Sequence, residues 1–73
     1  MSDRDKRATE IANALEQKIR LELQPGDKLP THRQMVVLFN ASSQTIWYAM
    51  EKVKARGLVD TKRGVGVYVK KRS

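Results

Sequence analysis

The residues able to do chemistry fall into two groups. Near the middle, Thr31, Arg33, Ser42, Ser43, Gln44, Thr45, Trp47 and Tyr48 offer hydroxyl, guanidinium, amide, indole and phenol groups, and towards the end Lys62 and Arg63 stand beside Gly64. None of them is arranged for breaking bonds. His32 is the only histidine, and with no second ligand or general base in sequence reach it suits a solvated or anion-contacting role better than a catalytic one. The absence of cysteine excludes disulfides, thiolate zinc sites and cysteine nucleophiles together. Glu10 and Glu16 share a charged helix face and read as solvated, Asp27 and Asp60 as turn and strand-edge residues. Gly64-x-Gly66 lacks the helix that must follow a phosphate-cradling loop. The expectation is no enzyme, no metal site and no cofactor, and what remains is hydrogen bonding to an anionic partner.

Charge points to the kind of partner. The chain carries a net +7, unevenly spread: Arg4, Lys6, Arg7, Lys18 and Arg20 are balanced by Asp3, Asp5, Glu10, Glu16 and Glu22, whereas from Lys52 onward only Asp60 opposes a run of lysines and arginines. Such a chain should have one face that attracts polyanions. Its 73 residues, 40% of them hydrophobic, suffice for one domain with a small core, residues 1–73 with the folded part at about 8–70. No stretch approaches the roughly 20 apolar residues of a membrane span. The basic end carries glycines and a β-type alternation instead of the amphipathic helix that lies on lipid, and the charged N-terminus is unlike a secretory signal. A soluble cytoplasmic protein without a membrane partner is expected.

The elements that must position these groups follow from periodicity. Ile11, Leu15, Ile19 and Leu23, with Ala8 and Ala12, form one apolar face of a first helix from about Lys6 to Leu23, leaving Glu10, Glu16 and Arg20 in water. Pro25-Gly26 ends it in what should be a type II turn, and Leu29-Pro30 reads as a short extended piece. Thr31 and Gln34 have capping-box spacing for a second helix running to Phe39, with Met35, Leu38 and Phe39 inward. Asn40 suits a left-handed helix end, and Ser42 can cap a third helix at about Ser43 to Arg56 whose stripe is Ile46, Ala49, Met50 and Val53. Two strands, Leu58 to Thr61 and Val65 to Val69, should meet across Lys62-Arg63-Gly64.

A three-residue hinge forces the second and third helices to cross steeply, and a glycine-tipped basic hairpin follows. This is the layout of a helix-turn-helix with a wing: an α+β, mainly helical fold of three helices and a C-terminal two-stranded β-hairpin, whose shape suits the grooves of duplex DNA.

The residues Pro25-Gly26-Asp27-x-Leu29-Pro30-Thr31-x-Arg33, then Ser42-x-x-Thr45-Ile46-x-x-Ala49, Gly57-Leu58-Val59 and Gly64-x-Gly66-x-Tyr68-Val69 resemble the N-terminal winged helix-turn-helix domain of the GntR family of bacterial transcription regulators. The likeness covers about residues 8 to 70. It implies that Arg33 contacts DNA from the start of the second helix, that Ser42 and Thr45 are the small hydroxyl residues opening the recognition helix, and that Gly64, with Arg63 beside it, forms the wing tip at the minor groove. This chain departs from the family at Ser43 and Trp47, where relatives commonly carry arginine, so the usual operator does not carry over.

The substitutes have chemistry of their own. Gln44 can donate and accept at once, as a bidentate contact with adenine requires. Trp47 lies off the apolar stripe, where its indole N–H reaches a phosphate or its ring closes the core beside the wing or first helix. Tyr48 has the same two options, a phosphate contact or packing at the helix edge. Fewer arginines favour a site richer in A·T. The helix N-termini at Thr31 and at Ser42-Ser43 favour anions, and Lys62, Arg63, Lys70, Lys71 and Arg72 supply nonspecific attraction. If about five to seven phosphates are neutralised, log affinity should fall with log salt at a slope of about −5 to −6.

The resulting expectation is a sequence-specific duplex-DNA-binding regulator, a repressor by analogy with similar proteins, acting as a homodimer on an inverted repeat. A small-molecule effector enters only with a C-terminal domain of the kind relatives carry. Two other classes compete: a winged helix used for protein docking through Trp47 and Tyr48, and a single-strand nucleic-acid binder that stacks bases on them.

Overall fold

A computed structural model describes residues 3–62 and 66–70. The order is α1 (Asp3–Leu21), α2 (His32–Phe39), α3 (Ser43–Ala55), β1 (Val59–Lys62) and β2 (Gly66–Val69). The helix α1 begins earlier than its apolar face suggests, because Asp3 and Asp5 occupy the first turn, where the positive end of the helix dipole favours carboxylates. Its buried face is Ala8, Ile11, Ala12, Leu15 and Ile19. Leu23, beyond the helix end, packs against the edge of the core.

The turn after α1 closes as its residues require. The Asp27 amide donates to the Gln24 carbonyl at 2.9 Å, Gly26 has φ +92°, and the Asp27 carboxylate accepts from the Gln24 amide at 2.8 Å. A positive φ at the third turn position is what a type II turn demands and what glycine supplies without strain.

The helix-turn-helix is built from local caps. Thr31 and Gln34 form the full capping box at the start of α2, and Asn40 ends it at φ 49°, ψ 49°. There the Asn40 amide donates to the Val37 carbonyl and the Ala41 amide to the Val36 carbonyl, the bond pair of a Schellman motif. Leu38, expected inward, is instead 59% exposed. The inward stripe of this eight-residue helix runs through Met35, Val36 and Phe39, and Leu38 falls off the edge of that face.

Against α1 and α2, α3 buries Ile46, Ala49, Met50 and Val53. A second correction concerns Glu16, expected to be solvated. Its carboxylate accepts from Arg56 at 3.0 Å and pairs with Arg20 at 3.1 Å, and Lys52 pairs with Asp5 at 3.3 Å. Two cations of the basic C-terminal half are thus turned back onto α1.

The wing pairs antiparallel, with Val59 opposite Val69, Thr61 opposite Val67 and Lys62 opposite Gly66. Its core side is Val59 and Val69, with Val67 partly covered. The extended piece before α2 joins the same sheet: Lys28 bridges Tyr68, and the Gly26 and Leu29 amides donate to the Val69 and Val67 carbonyls while Val69 donates to Asp27. This third rung ties the turn after α1 to the wing.

Candidate nucleic-acid interface

The first residues of α3 are held by one another. Ser42 adopts extended backbone geometry at the cap position, and its hydroxyl accepts from the Thr45 amide at 3.2 Å while lying 2.8 Å from the Thr45 hydroxyl. This uses Thr45 inward: it is 7% exposed, the buried polar residue of the core among the described residues. Ser42 and Thr45 therefore fix the start of the helix, and the exposed groups beside them are Ser43 and Gln44.

Across the hinge, His32 Nε2 lies 2.8 Å from the Ser43 hydroxyl. The first residue of α2 thus touches the first residue of α3, and the two helix N-termini open side by side. Their unpaired amides are the part of a helix best suited to an anion. Thr31 and Arg33 are exposed at the α2 end of this surface. Arg33 stands along a shallow surface beside Gln34, Val37 and Leu38, and it is not gathered with Trp47.

Further along α3, Trp47 is 54% and Tyr48 40% exposed, and their rings meet edge to face with centroids 5.3 Å apart. Trp47 lies off the buried stripe, on one wall of a groove of about 400 Å³ between α3 and the wing, with Met50, Lys54, His32, Thr61 and Val67 around it. It borders the wing without being sealed under it. Lys62 closes β1 with its ammonium 5.2 Å from the centre of the Tyr68 ring, a distance at which a cation is attracted to the ring face. Arg63 and Gly64, the expected wing tip, lie outside the described residues, as do Val65, Lys71 and Arg72.

Sequence reasoning passed over His32 as a partner of Ser43, and Lys54 and Lys28 as neighbours of the interface. Lys54 was readable, since positions 47, 50, 51 and 54 share one helical face. Lys28 was not, because its place in the sheet comes from tertiary pairing. Among the described residues no group of histidine, cysteine or carboxylate side chains could hold a metal ion, and no helix is long and apolar enough to cross a membrane.

Comparison with known proteins agrees with this geometry. YhcF of Bacillus subtilis, named as an uncharacterized HTH-type transcriptional regulator, is 37% identical over 51 residues, covering 70% of this chain and 42% of its own length. PhnF of Escherichia coli, named as a probable transcriptional regulator, is 36% identical over 63 residues, covering 86% of this chain and 26% of its own. The chain thus spans less than half the length of these relatives. In three dimensions it resembles the AraR DNA-binding domain solved with operator ORR3, at a TM-score of 0.80 and 23% identity over 86% of this chain and 77% of that one, a likeness of fold. The model of the bacterial regulatory proteins of the gntR family matches residues 7–69, from the first helix through the last wing strand, and by that match the chain belongs to the GntR family.

Proposed function

We propose that this domain is a sequence-specific duplex DNA reader of a transcription regulator. In this reading α3 enters the major groove and the wing enters the adjacent minor groove. The observation that carries it is the N-terminal half of α3: Ser42 and Thr45 lock its first turn from within, and Ser43, Gln44, Trp47 and Tyr48 stand outward from that fixed frame. Hydrogen-bonding side chains on a preorganised helix are what base reading requires.

Gln44 is the residue we assign to a base edge, bidentate to adenine. Ser43, Thr31 and Arg33 serve phosphates at the two helix N-termini. Trp47 and Tyr48 contact the backbone beside α3, and Lys62, Arg63 and Gly64 act from the wing. Thr45 supports Ser42 from below and reaches DNA only through that support. The site is richer in A·T than those read by arginine-bearing relatives, and DNA footprints centred on G·C steps under α3 would contradict that. One such domain reads one half-site, so a homodimer on an inverted repeat, acting as a repressor in the cytoplasm, completes the proposal. Among the relatives, YtrA of Bacillus subtilis is named a transcriptional repressor.

The test is a titration with duplex and single-stranded DNA at two salt concentrations, with sedimentation on an inverted-repeat duplex beside it. Duplex preference with a salt slope of about −5 to −6 supports the proposal. Equal or stronger binding to single strands, or attachment that ignores salt and centres on the Trp47-Tyr48 patch, overturns it.

A further inference from the structure

Lys28 precedes the wing by more than thirty positions in the sequence, yet it is part of the same sheet. It bridges Tyr68, while Lys62 lies opposite Gly66 on the other side of β2. Directly opposed residues share a sheet face, and so do residues two apart in one strand. Lys28, Tyr68, Gly66 and Lys62 therefore stand on one face, the one turned away from Val59 and Val69.

The side chains confirm that placement. A Cβ at Gly66 would lie 2.9 Å from Lys28 Cε and 3.7 Å from its Nζ, so the lysine stem crosses the strand in the space that a missing side chain leaves. From the other strand, Lys62 places its ammonium over the Tyr68 ring. Two lysines thus converge on the wing beside Gly66 and Tyr68, from either edge of β2. Asp60 stands opposite Tyr68 on this face, and Glu51, paired with Lys54 at 3.6 Å, lines the adjoining groove with Lys28 and Lys62.

We infer that Lys28 is a phosphate-binding residue of the wing and forms with Lys62 a two-cation clamp on the DNA backbone flanking the groove the wing enters. This rests on the duplex-binding reading above. The chemistry is that of a phosphodiester held between two ammonium groups, which fixes position without reading bases. Gly66 has a role in it: any side chain there would displace the Lys28 stem. The clamp also gives the turn after α1 a part in binding, since the backbone bonds that join Asp27 and Leu29 to β2 set where Lys28 begins.

The test measures duplex affinity of the 73-residue chain from about 50 to 200 mM salt for wild type, Lys28→Gln, Lys62→Gln, Lys28→Arg and, as a control on the outer face of α1 away from the wing, Arg20→Gln. Each lost phosphate contact should flatten the log–log slope by about 0.9, removing about 3.5-fold from the affinity lost across that range. Lys28→Gln and Lys62→Gln should each show this, while Lys28→Arg and Arg20→Gln keep the wild-type slope. Single neutral methylphosphonates scanned along the duplex should weaken wild type at one position where Lys28→Gln is indifferent. A Lys28→Gln slope equal to wild type, with base discrimination still weakened in Gln44→Ala, overturns the clamp and leaves the duplex reading standing. Absence of duplex binding by wild type overturns both. Circular dichroism showing every variant folded keeps the slopes interpretable, and a free mononucleotide that binds only proteins retaining Lys28 while leaving their duplex affinity unchanged would assign the site to a small ligand and refute the clamp.

Discussion

Replacing Ser42 by alanine should unfasten the recognition helix. The Ser42 hydroxyl satisfies the Thr45 amide at 3.2 Å and lies 2.8 Å from the Thr45 hydroxyl, which is buried. Loss of an N-cap of this kind costs about 1 kcal/mol, and a buried hydroxyl deprived of its partner costs about 1 kcal/mol more. A chain of this length holds roughly 7 kcal/mol of stability at about 0.1 kcal/mol per residue, so about 2 kcal/mol is a large share. It corresponds to a fall in Tm of about 12 °C at roughly 6 °C per kcal/mol for a domain of this size. Urea denaturation of Ser42→Ala, Thr45→Val and the double variant measures it, with the two substitutions coupled by about 0.5 to 1 kcal/mol because they share one hydrogen bond. Ser42→Asp keeps the acceptor and should stay within about 0.5 kcal/mol of wild type, while its added anion weakens binding to DNA. Stability of Ser42→Ala within about 0.5 kcal/mol of wild type, or strict additivity with Thr45→Val, would refute the cap as the device that fixes α3.

Other substitutions probe the remaining joints. Ile46→Ala, made at a fully buried site, should cost about 2 to 5 kcal/mol and lower the Tm followed by circular dichroism by about 12 to 30 °C. Glu16→Gln should cost about 1 kcal/mol or less, since its partners Arg56 and Arg20 are both substantially exposed, and the loss should shrink in high-salt urea melts. Gln44→Ala should leave the Tm unchanged and erase about 1 to 3 kcal/mol of discrimination at one base pair in a binding-site selection. Gly66→Ala should destabilise the wing, because φ +140° and the Lys28 stem both oppose a Cβ, and hydrogen exchange at Val67 and Val69 reports it.

What could be read from the chain was what short-range chemistry determines. The Thr31–Gln34 box, the left-handed Asn40 and the Ser42 cap each depend on residues within a few positions, and all three stand where their side chains require. Leu38 was misplaced because an eight-residue helix has too few turns for periodicity to locate its inner edge. Glu16 was misread in part because one partner, Arg56, is 40 positions away, where no local pattern reaches, although the other, Arg20, stands at the i,i+4 spacing of a helix pair. The Lys28–Tyr68 bridge is hidden for the same reason. On the interface itself, periodicity placed Trp47 off the apolar stripe, and it is exposed, but it left Tyr48 between a phosphate contact and packing at the helix edge and could not show that Thr45 is spent on holding Ser42. That division of labour between adjacent hydroxyl residues comes from the helix packing on α1, which turns position 45 inward and position 43 outward.

The central claim is that the outward half of α3 and the wing bind one duplex together. Amide chemical shifts recorded while an operator-like duplex is added test it most directly. The account predicts the largest shifts at Ser43 to Tyr48 and at Lys62, with the outer face of α1 from Asn13 to Arg20 unmoved. Shifts confined to α1, or none at either α3 or the wing at saturating duplex, would contradict it.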